Sequence, residues 1–164
     1  MRGLSLLFLI LLIPVLSGPG AATDIDVPDP QLRDACPVCG MLVARYPAWI
    51  ATVLHEDGHA DHFDGAKDLF KYLFDLPRYA PGRSADGISA IGVTEYYGLT
   101  RIDAYAAWYV IGSDVLGPMG HELVPLKSEA DAREFKDDHQ GTRILRFDEV
   151  SPELLERLDA GDIQ

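Results

Sequence analysis

The sequence is short of cysteine. Its 164 residues hold two, Cys36 and Cys39, and both fall inside one six-residue stretch, CPVCGM. A four-cysteine zinc site and a multi-disulfide framework are therefore excluded. Cations are scarce as well: 14 Lys and Arg stand against 26 Asp and Glu, for a net charge of −12. A chain so acidic offers no basic patch, so neither nucleic acid nor an anionic membrane surface is an expected partner. No apolar run reaches the roughly 20 residues that cross a bilayer. No phosphate-cradling glycine loop and no nucleophile–base–orienter set is present, which argues against an enzyme.

The length suits one domain, and 48% hydrophobic residues suffice for a real core. The first 22 residues, MRGLSLLFLILLIPVLSGPGAA, carry Arg2, an apolar run from Leu4 to Leu16 broken by Pro14, and a small-residue end. That is the layout of a secretory signal peptide cleaved near Ala22. It predicts an exported, periplasmic protein. No cysteine precedes Cys36, so a lipid anchor is not expected. Residues 23–35 are polar with two prolines and read as a flexible leader, followed by a single domain over 36–164.

Residues 48–63 read as a hairpin turning at Asp57-Gly58. Residues 64–77 read as a helix with Asp64 as cap, an apolar face at Ala66, Leu69, Phe70, Leu73 and Phe74, and Pro77 as the stop. Further strands are expected at 88–97, 106–113, 121–126 and 141–147. Further helices are expected at 128–139, capped by Ser128, and at 151–161, with Ser-Pro at the start and Gly161 at the end. The strand-then-helix plan occurs twice. The fold class is therefore α+β, with two β-β-α-type units and mostly antiparallel strands covered by helices.

Four readings of CPVCGM compete. Redox chemistry of the thioredoxin kind needs a strand before the first cysteine and a helix starting at it. Here a Pro/Asp-rich segment precedes Cys36 and Gly40 follows Cys39. Zinc would need two further ligands, which histidines would have to supply. A disulfide closing so short a loop adds little stability. The remaining reading is a soft-metal site, because thiolate with thioether selects Cu(I) over harder ions. Met41 stands two residues beyond Cys39. A second stretch, GPMGHELVP at 117–125, places Met119 in a tight loop, where a core role is awkward, with His121 two residues on. His55, His59 and His62 form a third cluster across the hairpin. A Cu(II) or zinc site is conceivable there, but solvent-facing hairpin residues are the reading preferred.

At these residues the chain resembles the NosL family, exported copper chaperones accessory to nitrous oxide reductase. The resemblance runs through CPVCGM, HFDGAKDLFKYLFD, AYAAWYVIGSDVLGPMGHELVPL and ILRFDEV, in order, over nearly all of the chain beyond the signal peptide. It implies a fold similar to part of organomercurial lyase, and one bound Cu(I). It implies Cys39 and Met41 as the best-placed ligands, with Cys36 beside them and Met119 and His121 from the second segment. The implied acceptor is nitrous oxide reductase or its assembly apparatus; separately, because copper carriers commonly share a thiolate between subunits, a monomer or a metal-linked dimer is expected. Two departures stand out: the lipid-modified cysteine of many members is missing, and Asp64 occupies a position where some members carry a cysteine. The rivals to a carrier are a periplasmic thiol–disulfide oxidoreductase, a thiol-using lyase and a general copper or zinc scavenger.

Overall fold

The computed structural model describes residues 20–162. The proposed signal peptide, apart from residues 20–22, lies outside the described residues. Hairpin β1 (Ala51–His55) and β2 (Ala60–Phe63) turns at Gly58, whose φ of +83° needs a residue without a Cβ. β3 (Ile88–Thr94) pairs antiparallel with β1, and β4 (Arg101–Asp103) with β3, giving a four-stranded sheet in the order β2-β1-β3-β4. β5 (Trp108–Ile111), β6 (Val124–Leu126) and β7 (Arg143–Leu145) form a second antiparallel sheet in the order β6-β5-β7. The helices are α1 (Ala66–Phe74), α2 (Leu76–Tyr79), α3 (Glu129–Asp138) and α4 (Pro152–Asp159). The two β-β-α units expected from the sequence are β1-β2-α1 and β5-β6-α3, one on each sheet, and the fold is α+β.

Several local expectations hold for the reasons given. Ser128 accepts from the Asp131 amide at 3.1 Å, and Ser151 accepts from that of Leu154 at 3.3 Å, each capping its helix. Others change. Pro77 does not end the helical run but sits in the first turn of α2, where its missing N–H costs nothing. The strand expected over 121–126 is paired only at 124–126, because Glu122 is drawn into the helix contact described next. β4 was not expected at all: three residues between turns carry too short a pattern. Residues 23–35 lie along the first sheet, with the Ile25 amide bonded to the Arg101 carbonyl at 3.0 Å, the Asp103 amide to Thr23 at 3.0 Å, and Val27 buried.

Asp64 does not cap α1. Gly65 holds the cap position and makes no side-chain cap bond. The orphan amide of Lys67 instead donates to Glu122 Oε1, at 2.6 Å and 55 residues away in sequence, and the Leu123 amide donates to the same oxygen at 2.9 Å. Glu122 thus caps one unit's helix from the other unit. Gly65 is required by this approach: a Cβ there would stand 2.2 Å from Glu122 Oε2. Replacing Gly65 with Ala is expected to cost about 1–3 kcal/mol through overpacking, read as a lower midpoint in thermal or urea unfolding.

Candidate metal centre

CPVCGM forms a closed knuckle. Ala35 and Leu42 make a bridge, the Cys36 amide donates to Met41 O at 2.9 Å, and the Gly40 amide donates to Cys36 O at 2.8 Å. Gly40 sits at φ +79°, which lets the chain double back. The turn points the Val38 and Cys39 amides at the Cys36 sulfur and the Met41 amide at the Cys39 sulfur. Both thiols are free; Cys36 is buried and Cys39 half-buried.

Two aspartates from α1 and the residue leading into it face the thiols. Cys39 Sγ donates to Asp64 Oδ1 at 3.1 Å, and Cys36 Sγ donates to Asp68 Oδ2 at 3.4 Å. One ligand atom from each of Cys36, Cys39, Asp64 and Asp68 lies within 4.8 Å of all the others. Asp64 and Asp68 are 1% and 3% exposed, so these carboxylates are core residues rather than surface ones. Among the described residues, Asp64 Oδ2 is buried with no hydrogen-bond partner, and Asp68 Oδ1 has only an ion pair with Lys71 at 3.3 Å. A buried carboxylate oxygen without a donor is costly unless a cation or proton reaches it.

Burial pushes both thiols up, Cys39 to about 12 and Cys36 further, and the facing carboxylates add to the effect against the amides that oppose it. At neutral pH the metal-free pair is protonated. Metal ligation must therefore displace two protons.

Cys39 and Asp68 open into a cleft of about 610 Å³, whose walls include Val38, Phe74, Met119 and Leu155. Met119 is 46% exposed there. Its loop is pinned from below, because the buried Lys67 ammonium donates to Met119 O at 3.1 Å and pairs with Asp159 Oδ1 at 3.0 Å. The structure thus brings Cys36 and Cys39 together and sets Met119 on the same cleft. Met41 lends its amide and carbonyl to the knuckle, and it does not line the cleft. His121 does not line it either; its Nδ1 is buried without a hydrogen-bond partner among the described residues.

The hairpin histidines are not all solvent-facing. His55 is buried between Asp61 (3.0 Å) and Tyr72 (3.2 Å), and His62 is buried with Nδ1 3.0 Å from Thr52 Oγ1. Only His59 is exposed, beside Asp61. Each of the two buried imidazoles has a ring nitrogen on an internal partner, His55 Nε2 on Asp61 and Tyr72 and His62 Nδ1 on Thr52, which accounts for their burial.

Neither Asp64 nor Asp68 reads as a metal ligand in the sequence, where Asp64 reads as a helix cap. The signal was their four-residue spacing at a helix start, which puts two carboxylates on one side.

A family model described as NosL matches residues 28–155. The chain belongs to the NosL family. Among NosL relatives, the copper-binding lipoprotein NosL of Stutzerimonas stutzeri is 28% identical over 136 residues, covering 75% of this chain and 65% of that protein. This NosL chain therefore spans less than two-thirds of that relative's length. The crystal structure of the copper chaperone NosL from Shewanella denitrificans has the same fold, with a TM-score of 0.63 at 23% identity, over 78% of this chain and 97% of that one.

Proposed function

We propose that this protein is an exported carrier of Cu(I), not an enzyme, and that it supplies copper for the centres of nitrous oxide reductase, directly or through an assembly apparatus. The observation that carries the reading is the pair of free thiols in one knuckle, of which Cys39 opens into a cleft with Met119 on its wall. Two thiolates and a thioether are donors for Cu(I). The names of the relatives, copper-binding lipoprotein and copper chaperone, support it. The lipoprotein relative also supports export, and among the described residues no helix is long and apolar enough to cross a membrane.

Copper is cargo here, so the chain's own groups must take it up and let it go. The knuckle amides stabilise the two sulfurs as thiolates once their protons leave. Cys36 is enclosed, while Cys39 faces the cleft, so an incoming ligand from the acceptor reaches the ion on the Cys39 side. Met119, on a loop held by Lys67, adds a weak donor at the mouth. An ion held by few ligands passes on by exchange, one bond forming before another breaks. Met41 and His121 remain second-line ligands in this proposal, each needing a rearrangement to reach the cleft. The test is in cells that make nitrous oxide reductase. Loss of this protein should lower the copper content of the enzyme, and the wild-type chain should restore it while Cys36→Ser/Cys39→Ser should not. Full copper content without the protein would sink the delivery role.

The rival thiol–disulfide chemistry needs a thiolate at neutral pH. Both thiols are shifted the other way, and no helix begins at Cys36. In the reduced, metal-free protein, alkylation of Cys39 by iodoacetamide is expected to stay slow at pH 8 and to rise only above about pH 10, later than for a free cysteine of ordinary pKa about 8.5. Fast alkylation at pH 7 would favour the redox reading.

A further inference from the structure

We infer that Asp159 and Lys67 are positioning residues for copper exchange: together they hold the Met119 turn against the mouth of the cleft and so set how fast an ion enters and leaves. Lys67 is among the largest fully buried side chains of the fold, at 1% exposure. A buried ammonium is costly unless it is paired and hydrogen-bonded. Its Nζ donates to Met119 O at 3.1 Å and pairs with Asp159 Oδ1 at 3.0 Å. Asp159 Oδ2 also takes Lys71 Nζ at 2.7 Å, so one carboxylate in the last turn of α4 ties down two cations of α1. The contacts run from α4 through α1 to the turn, and Lys71, Met119 and Asp159 all line the cleft.

A purely structural purpose accounts poorly for this arrangement. Apolar side chains of similar volume hold elements together as well as a buried ion pair does, or better. α4 already packs through the buried Leu154, Leu155 and Leu158. What the ion pair adds is a fixed position for the turn. That turn is otherwise self-contained: the Gly117 amide donates to Gly120 O at 2.8 Å, and the Gly120 amide to Gly117 O at 3.1 Å. Gly120 sits at φ +84°. The turn can therefore swing as a unit about its two glycines with its own bonds intact, and the Lys67 bond to Met119 O ties it to α1. Among the described residues, Asp159 is the ion-pair partner that keeps the Lys67 ammonium under that carbonyl. Without Asp159 the buried cation has no counter-charge there, and its flexible stem turns to bring the charge to water.

The inference rests on the copper-carrier reading, and the experiment separates the two. In the reduced, metal-free, full-length protein the methyl signals of Met41 and Met119 are followed by NMR, with Met119 assigned by its loss in Met119→Leu. Asp159→Asn and Lys67→Met should each move the Met119 methyl toward the position of a mobile chain and leave Met41, in the knuckle, unmoved. Asp159→Glu, which keeps the charge, should stay near wild type. In Cu(I)-loaded samples both disruptive variants should release the ion to a chelator faster by about tenfold or more, the factor that corresponds to one hydrogen bond to a charged group. Lys67→Met leaves no buried charge unpaired, so it carries the test even if Asp159→Asn unfolds. A shift of Met41 and Met119 together would be general loosening and would overturn the positioning role. So would an unmoved Met119 methyl, or a freed Met119 with unchanged release. An unmoved methyl beside tight Cu(I) binding overturns this role alone. Absence of tight Cu(I) binding in the wild-type protein overturns the carrier reading, and this role with it.

Discussion

Replacing Cys39 with serine is expected to abolish tight Cu(I) binding, lowering affinity by several orders of magnitude, while the protein stays folded. A hydroxyl is a hard donor and stays protonated, so the ion keeps one thiolate where it had two. Cys39 is the sulfur on the cleft side, so its loss also removes the position from which the ion leaves. The fold should tolerate the change because Cys39 is only half-buried and its knuckle is held by backbone bonds, Cys36 N to Met41 O and Gly40 N to Cys36 O. The substituted hydroxyl can still donate to Asp64, as the thiol does at 3.1 Å. The check is competition with a Cu(I) chelator under anaerobic conditions, with a circular dichroism melt on the same sample. Retained affinity would place the copper away from the knuckle.

The second large effect concerns the joint between the two units. Burial pushes the Glu122 carboxyl up to about 8, against an ordinary value of 4.5. The folded protein therefore holds a proton on Glu122 that the unfolded chain gives up. The stabilisation is complete below pH 4.5 and is lost as pH rises through about 8. One pKa unit corresponds to about 1.4 kcal/mol, so the loss across this window is on the order of 5 kcal/mol. Glu122→Gln keeps an acceptor for the amides of Lys67 and Leu123 but cannot ionise. Its stability should match wild type near pH 5 and exceed it by up to that amount at about pH 9. Glu122→Ala leaves both amides without their acceptor and should cost about 1–3 kcal/mol at about pH 5. Urea midpoints at the two pH values measure this. Parallel wild-type and Glu122→Gln profiles would show that Glu122 is ionised throughout.

Local signals were readable and long-range ones were not. Ser128 and Ser151 announced their helices because a cap acts within three residues. Asp57-Gly58 announced its hairpin in the same way. The two thiols were legible as a pair by their spacing. What completes the cluster was hidden, because the burial of Asp64 and Asp68 depends on packing by distant segments. Lys67 is buried only because the Met119 carbonyl, 52 residues further on, and Asp159, further still, close over it. Asp64 looked like a cap for the helix beside it, and the cap came from Glu122. The hairpin histidines misled for a related reason. A polar ring reads as solvated until a partner such as Tyr72 or Thr52 is seen to satisfy it.

The most direct test of the carrier account is an anaerobic Cu(I) titration of the reduced protein against a competing chelator of known affinity. The account predicts one tight equivalent per chain, lost when both cysteines are replaced by serine. Weak binding, or tight binding that survives that double substitution, would contradict it.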